Sequence, residues 1–158
     1  YEALFNRDFD EDGQHGEPAP LDEDGDGFVD GSGDYRLFRN GAVIPLQNRR
    51  GRTYSDASTG NWDASQALVN GDGFDVLLEG HGRYDEKYLV WDVGADGVIT
   101  KGNGWFTPEQ MMEEGYEVSF ELDFNADGHI GAPPLVDDDG DGFVDGGGDY
   151  RLFENAPA

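Results

Sequence analysis

The side chains best placed to do chemistry in this sequence are aspartates that alternate with other residues and precede a glycine. Four runs have this D-x-[D/N]-x-D-G form, and they begin at Asp8, Asp22, Asp123 and Asp137. In loops of this kind, oxygens at positions 1, 3 and 5 converge on a hard cation. The glycine at position 6 makes the sharp turn, and position 7 supplies a backbone carbonyl. The spacing therefore predicts calcium-binding loops, with up to about four Ca²⁺ ions per chain.

The predicted ligands are the side chains at positions 1, 3 and 5 of each run and the carbonyl group at position 7. In the first loop of each pair they are Asp8, Asp10, Asp12 and Gln14, and Asp123, Asn125, Asp127 and His129. In the second loop of each pair they are Asp22, Asp24, Asp26 and Phe28, and Asp137, Asp139, Asp141 and Phe143. An apolar residue at position 8 should anchor the loop, and Val29, Ile130 and Val144 fit that role.

The loops differ from a standard EF-hand at position 12, where a bidentate glutamate is expected. Those positions hold Ala19, Gly33, Pro134 and Gly148. In the second loop of each pair we expect aspartates at positions 9 and 13 to replace it, namely Asp30, Asp34, Asp145 and Asp149. The first loops have no obvious closing carboxylate, and the candidates are Glu17, Asp22 and Asp137. Paired loops begin 14 residues apart with prolines between them, so we predict helix-poor loops.

The alternative for these runs is a solvated acidic linker. Two carboxylates 4 Å apart repel each other by about 4 kcal/mol at an effective dielectric constant of ~20. Four or five carboxylates in one loop would hold it open unless a divalent ion lies between them. Magnesium fits less well because it prefers few protein ligands and keeps its waters. Zinc fits poorly because the three histidines are not paired at ligand spacing and cysteine is absent.

The acidic runs belong to a long internal repeat. Residues 1–40 align without a gap onto residues 116–155, and 25 of these 40 positions are identical. The chain then holds one period of about 115 residues and the start of the next. This indicates either a tandem array cut at an arbitrary point or a subunit with matching ends for head-to-tail assembly. Tyr1 falls inside the motif, so we expect an excerpt or a processed chain.

The chain is strongly acidic, with 35 Asp and Glu against 10 Lys and Arg and a formal net charge of −25. Phosphate recognition needs clustered positive charge, so we expect no nucleic-acid partner. No apolar run approaches the ~18 residues of a membrane span, and we expect no membrane insertion. The aromatic content of 13% argues against a disordered chain.

Local patterns predict the elements that must position the loops. Residues 42–46, 74–79, 88–93 and 98–101 have strand character, and Asn40-Gly41 is a hairpin-turn pair. Short helices are predicted over residues 64–69 with Asp63 as the cap and from Pro108 to near Gly115. Residues 116–122 alternate like a strand, but the matching residues 1–7 have helical spacing, so a short helix is preferred there. The predicted fold class is α+β, a small mainly antiparallel β domain with two or three short helices, flanked by helix-poor calcium-binding loop segments. The segments are 1–40, 41–115 and 116–158.

Several motifs of the middle region occur in an order that resembles a known family. They are Asn61-Trp62-Asp63, residues 74–80 (FDVLLEG), residues 88–91 (YLVW), Asp96-Gly97-Val98-Ile99, Gly104-Trp105, and then Glu117, Phe120 and residues 123–131 (DFNADGHIG). Residues 38–131 thus resemble the tryptophan-rich C-terminal domain family first noted in cyanobacterial secreted proteins. Tyr116 and Ala126 depart from its expected Trp and Gly. The second acidic loop of each pair is similar to calcium loops of thrombospondin type 3 repeats.

The resemblance implies large, repetitive, exported proteins at bacterial surfaces and no defined activity. The first functional hypothesis is therefore a calcium-stabilised structural repeat of an extracellular bacterial surface protein, in an array or filament whose partners are neighbouring repeats or subunits. The second is a calcium-dependent adhesion or glycan-binding module that binds cell-surface polysaccharide. For the second, Tyr54, Tyr84 and Arg83 are the candidates, because Trp62, Trp91 and Trp105 are expected to fill a small core.

A glycoside-active enzyme is the third hypothesis, since carboxylate pairs can hydrolyse glycosides. The acids, however, cluster at cation spacing rather than across a cleft. No Ser/His/Asp order, phosphate-binding loop or thiol nucleophile is present in the sequence. We therefore expect no catalytic residues and no enzyme activity.

Overall fold

The computed structural model describes residues 21–31 and 33–136 and divides the chain after Thr107 into two compact units. Within the described residues, the first unit contains six β-strands and two single-turn 3₁₀ helices, and the second contains two short α-helices and an acidic loop. The acidic runs that begin at Asp8 and Asp137 lie outside these residues. No helix in the described part is long and apolar enough to cross a membrane.

A tight hairpin follows the first described acidic loop. Strand β1 (Arg36–Arg39) pairs antiparallel with β2 (Ala42–Pro45). Asn40 and Gly41 connect them with φ values of 50° and 79°. Two successive positive φ values give the turn whose twist matches that of the flanking strands. The predicted strand at 42–46 and its Asn-Gly turn are confirmed.

Four further strands form one antiparallel sheet in chain order. They are β3 (Trp62–Asn70), β4 (Gly73–Gly80), β5 (Tyr88–Val93) and β6 (Ile99–Gly102). The predicted strands at 74–79, 88–93 and 98–101 are confirmed. Val76, Leu77 and Leu78 of β4 are at most 1% exposed. Successive strand residues point to opposite faces, so this strand is covered on both sides.

The prediction of a helix over residues 64–69 is wrong, because these residues lie in β3. Ala64 and Ala67 both pack into the core, although residues three apart in a regular strand point to opposite faces. The register between β3 and β4 shifts at Ser65, which is an extra, bulged residue. The bulge therefore gives two core-facing alanines the spacing of a helix, and strand pairing overrides the local helix propensity.

The residue predicted to cap that helix has a different role. Asp63 lies in β3, and its Oδ2 atom is 2.7 Å from Nε2 of His81, just after β4. The backbone amide of His81 also donates to the carbonyl of Asn61 at 2.7 Å. Together these bonds fasten the open end of the β3–β4 pair.

The core of the first unit lies between the hairpin, the acidic loop and one face of the sheet. Its buried members are Phe28, Leu37, Leu46, Ala67, Phe74, Val76, Leu78 and Val93. Trp62 and Trp91 pack against this cluster but remain partly exposed. Trp105 stacks instead on Tyr84, with ring centroids 4.3 Å apart. Trp62 and Trp91 thus border the core, which aliphatic side chains and two phenylalanines fill.

The second unit begins with two short helices, α1 (Pro108–Glu113) and α2 (Tyr116–Phe120). Gly115 lies between them with φ of 83°, a left-handed conformation that glycine adopts without strain. Both helical predictions for this region are confirmed, including the preference for a helix over a strand at residues 116–122.

The described chain is therefore a small, mainly β protein of the α+β class with antiparallel sheets and two short α-helices. The predicted class is confirmed at this level. The predicted division into 1–40, 41–115 and 116–158 follows the sequence repeat and stays a prediction. In the structure, Phe28 of the first segment shares one core with Phe74 of the middle segment.

Candidate metal centre

Three aspartates of the loop at residues 22–30 converge on one point. Each of Asp22, Asp24 and Asp26 offers a carboxylate oxygen, and these oxygens lie within 4.8 Å of one another. They occupy positions 1, 3 and 5 of the predicted calcium loop. A cation between them would contact all three, and hard cations such as Ca²⁺ prefer oxygen ligands.

Backbone amides hold these carboxylates in place. Asp22 accepts hydrogen bonds from the amides of Gly25 at 2.8 Å and Gly27 at 3.1 Å. Asp24 accepts one from the amide of Asp26 at 3.2 Å, and Asp26 accepts one from Phe28 at 2.7 Å. Each bond joins a side chain to an amide two to five residues later, so the loop winds around its own carboxylates.

Glycine is required at position 6 for two reasons. Gly27 has φ of 86°, in the left-handed region. A Cβ atom there would also lie only 2.0 Å from the carbonyl oxygen of Ala67. Gly25 at position 4 has φ of 77° but lies in open space, so only its conformation favours glycine.

The loop is fastened to the sheet and hairpin of its unit. Phe28 is 7% exposed and forms a bridge with Leu37 of β1. The carbonyl of Asp26 accepts a hydrogen bond from the amide of Ala67 at 2.7 Å. Val29, at position 8, is half-buried and its amide donates to the carbonyl of Arg36 at 2.8 Å, while Phe28 at position 7 is the buried residue of the loop. Strand-like pairing at this point turns the side chain of position 7 inward.

Two further predicted ligands of this loop have separate contacts. Asp30, at position 9, accepts a hydrogen bond from the amide of Glu23 at 2.6 Å, so it folds back over the loop. Asp34, at position 13, accepts one from the hydroxyl of Thr53 at 3.3 Å. Asp30 thus lies beside the converging carboxylates, while Asp34 contacts a residue outside the loop.

The negative charges of this loop act on one another. Burial raises the pKa of Asp26, the bond from Phe28 opposes that rise, and the charges of Asp24, Asp22 and Asp30 add to it. The carboxylate of Asp26 is therefore held in its charged form at a cost. A bound cation would remove that cost.

The loop at residues 123–131 in the second unit has the same pattern of hydrogen bonds between carboxylate or amide oxygens and backbone amides as the loop at residues 22–30. The amide of Gly128 donates to Asp123 at 2.9 Å, that of Asp127 to Asn125 at 3.1 Å, and that of His129 to Asp127 at 2.8 Å. These bonds join the same loop positions as those made by Gly27, Asp26 and Phe28 in the first unit.

The backbone conformations of the two loops also agree. Positions 4 and 6 of the loop at residues 123–131 are Ala126, with φ of 57°, and Gly128, with φ of 87°. Gly25 and Gly27 hold the same positions in the first unit with φ of 77° and 86°. A left-handed alanine is strained, so the loop frame outweighs the preference of the residue. The common spacing thus produces one geometry in two different settings.

The loop at residues 123–131 offers fewer carboxylate ligands than the loop at residues 22–30. Position 3 is Asn125, which replaces a carboxylate with an amide, and its Nδ2 donates to Asp127 at 3.2 Å. Nδ1 of His129 lies 3.5 Å from the carboxylate of Asp127. The expectation that Ile130 anchors the loop is wrong, because its side chain is 50% exposed. With two carboxylates instead of three, this loop should bind a cation less tightly.

A buried glutamate that was not predicted as a site residue holds the loop at residues 123–131 in place. Glu117 of α2 is fully buried. Its Oε1 accepts hydrogen bonds from the amides of Phe124 at 3.0 Å and Asn125 at 3.3 Å, and its Oε2 accepts one from Gly131 at 2.9 Å. These bonds clamp both ends of the loop. The available signal was an acid on the apolar face of a short helix, six residues before Asp123.

The remaining predicted ligands lie outside the described residues and stay predictions. They are Asp8, Asp10, Asp12, Gln14, Asp137, Asp139, Asp141, Phe143, Asp145 and Asp149. The same applies to the candidate closing acids Glu17 and Asp137 and to the anchor Val144.

Comparison with known proteins adds no relative: no family model, curated protein or solved structure matches this chain. What the fold and site define is a mainly β α+β protein whose described part carries two acidic loops of common geometry.

Proposed function

We propose that this chain is a calcium-stabilised structural repeat of an exported bacterial surface protein, which forms part of an extracellular array or filament. The observation that carries the proposal is the common frame of the two described loops, with three aspartate oxygens converging in one of them. The repeat in the sequence supports an array, and the resemblance to secreted proteins supports the location.

The proposed role of calcium follows from the charges of the loop. Two carboxylate oxygens 4.8 Å apart repel each other by about 3 kcal/mol at an effective dielectric constant of ~20, before screening by salt. A Ca²⁺ ion between Asp22, Asp24 and Asp26 converts this repulsion into attraction. Because Phe28 and the carbonyl of Asp26 tie the loop to the core, the bound ion also stiffens the hairpin and the edge strand.

The gain in stability depends on calcium concentration. An ion that binds only the folded state adds about 2.7 kcal/mol per site at a hundredfold excess over Kd. Extracellular calcium modules bind at about 10⁻⁴ to 10⁻³ M. Such a chain would be loose at low calcium and rigid outside the cell, where neighbouring repeats or subunits assemble.

The test combines calorimetry with thermal unfolding in calcium, magnesium and chelator. We expect saturable calcium uptake at sub-millimolar to millimolar concentration and a rise in Tm that magnesium does not reproduce. Asp24→Ala removes a ligand from an exposed position, and together with Asp127→Ala it should reduce both the uptake and the rise in Tm. Asp85→Ala, an exposed aspartate outside the loops, is the matched control.

Assembly is tested separately by sedimentation velocity with and without calcium. We expect larger species in calcium and their dissociation on chelation. Absence of calcium uptake, or a rise in Tm that the double variant leaves intact, would contradict the metal site. Calcium uptake without assembly would leave the metal site standing and contradict the array.

A further inference from the structure

A short loop after β2 concentrates positive charge in this acidic chain. Arg49, Arg50 and Arg52 fall within four residues, and they are three of the ten Lys and Arg residues that face 35 acids. The ion pairs found within residues 21–31 and 33–136 both use histidines, so none of them neutralises these arginines. Because these guanidinium groups have no carboxylate partner among the described residues, they are available to an external anion.

The backbone of this loop is fixed by hydrogen bonds. Oδ1 of Asn48 accepts the amides of Arg50 at 2.8 Å and Arg52 at 3.1 Å, and the backbone amide of Asn48 donates to the carbonyl of Arg52 at 3.0 Å. Gly51, with φ of 78°, completes the turn and donates to the carbonyl of Asn48 at 2.9 Å. Gln47, at the base of the loop, bridges to Thr53. The arginines therefore project from a preformed platform.

A pocket of about 390 Å³ lies beside this platform, and its walls combine cationic and aromatic groups. It is lined by Asn48, Arg49, Arg50, Tyr54, Trp91 and Ile99. The rings of Tyr54 and Trp91 have centroids 5.4 Å apart at an angle of 46°. The guanidinium of Arg49 is held by a 3.0 Å bond to the carbonyl of Thr100, and that of Arg52 lies 5.6 Å from the centre of the Tyr54 ring. Arg50 makes its hydrogen bond through the backbone and is exposed.

We propose that this pocket binds a saccharide that carries carboxylate groups, of the uronic acid class. The planar guanidinium fork matches a carboxylate with two parallel hydrogen bonds, and the aromatic wall packs against the apolar C–H face of a sugar ring. The pocket is shallow and open to solvent, and its volume is near the lower end for ligand pockets, so it suits one side of a short saccharide. An acidic peptide would satisfy the arginines but leave the aromatic wall without a matching partner.

This site contains no residue of the acidic loops, so the proposal goes beyond the structural role of calcium. Its test can fail while the calcium proposal holds, and the reverse. The overall negative charge of the chain repels an anionic ligand at long range. Salt at 0.15 M screens charges separated by more than about 8 Å. The contacts inside the pocket are shorter than that, so binding should persist at this ionic strength and improve slightly over low salt.

The experiment measures binding by tryptophan fluorescence, since Trp91 lines the pocket, and by calorimetry. The probes are trigalacturonate and the uncharged galactotriose, at 0.15 M salt and in calcium sufficient to saturate the acidic loops. The free calcium concentration is matched in every titration, because acidic sugars bind calcium themselves. We expect saturable binding of trigalacturonate and at least tenfold weaker binding of galactotriose. Arg50→Gln should weaken the binding of trigalacturonate about tenfold. Arg36→Gln, which changes an exposed arginine of β1 that does not line the pocket, should leave binding unchanged.

Four outcomes overturn the proposal. The first three are no saturable binding of trigalacturonate, equal binding of galactotriose, and equal weakening by Arg50→Gln and Arg36→Gln. The fourth uses a peptide with the sequence of residues 21–31. If this peptide binds more tightly than trigalacturonate and loses affinity in Arg50→Gln, the pocket receives an acidic segment of a second copy of the chain instead. Circular dichroism of both variants checks that the fold is kept.

Discussion

The hydrogen bonds of Glu117 allow a test of what holds the acidic loop at residues 123–131 in its conformation. The substitution Glu117→Gln keeps the size of the side chain and removes one acceptor. Its remaining carbonyl oxygen can still accept the amides of Phe124 and Asn125. Its NH₂ group then faces the amide of Gly131, where Oε2 of the glutamate accepts at 2.9 Å. Two donors meet at a buried position, and one amide loses its partner.

The cost can be worked out bond by bond. A hydrogen bond to a charged group contributes about 1.5–3 kcal/mol, and a buried donor without a partner costs about 1–3 kcal/mol. The two bonds that remain become neutral and weaker. We therefore expect a loss of about 3 kcal/mol for the closed form of the loop, which corresponds to about a 150-fold change in its opening equilibrium.

The assay is hydrogen exchange read residue by residue. The amides of Phe124, Asn125 and Gly131 should exchange about a hundredfold faster in Glu117→Gln, and calcium affinity at this loop should fall with them. Glu114→Gln, which changes an exposed glutamate in the turn just after α1, is the control and should change stability by less than about 0.5 kcal/mol. If Glu117→Gln exchanges like Glu114→Gln at these three amides, Glu117 does not organise the loop.

Three further substitutions test the first unit. Gly27→Ala should destabilise the fold by about 2 kcal/mol or more, because the new side chain combines a positive φ with a clash against the carbonyl of Ala67. Gly25→Ala has the positive φ without the clash and should cost only about 1 kcal/mol. Equal losses of stability in thermal unfolding would contradict the close approach of Gly27 to Ala67. Asp75 on β4 lies opposite Asp92 on β5. Burial is the main cause that raises the pKa of Asp75; a hydrogen bond from Asn70 opposes the rise, and the charge of Asp92 adds to it. An acid with a raised folded pKa loses its stabilising contribution as pH rises through that pKa. Asp75→Asn should therefore stabilise the protein by about 0.5–1 kcal/mol at pH 7 relative to wild type. The gain should fade in urea titrations below the pKa of the folded carboxyl, and a gain that is constant from pH 7 to pH 3 would refute the charge argument.

The strands and hairpin turns could be predicted because their signals are local. The Asn40-Gly41 pair favours two positive φ values in succession, and the apolar, β-branched character of residues 74–79 and 88–93 suits a buried sheet. The helix beginning at Pro108 was equally readable from its capping residues. In each case the residues that decide the structure lie within a few positions of one another.

The errors came from positions where distant contacts decide the structure. The alanines of β3 have a three-residue spacing because of a bulge, and a bulge depends on pairing with the neighbouring strand. Val29 fits the anchor position by its type and spacing, but pairing with β1 also buries Phe28, which the spacing did not indicate. In the sequence Glu117 resembles any other acid of a short helix. Only the folded loop brings the amides of Phe124 and Gly131 to its carboxylate.

The sequence alone determined the geometry of the acidic loops, because each carboxylate bonds to an amide at most five residues away and the glycines permit the left-handed turns. Tertiary structure decided how those loops are fastened and which other groups meet. The core brings Phe28 together with Leu37 and Phe74, and the fold places the arginine loop beside Trp91, some forty residues later in the chain. Such contacts depend on the closure of long chain segments, whose outcome is set by burial of the whole core and not by any short run of residues.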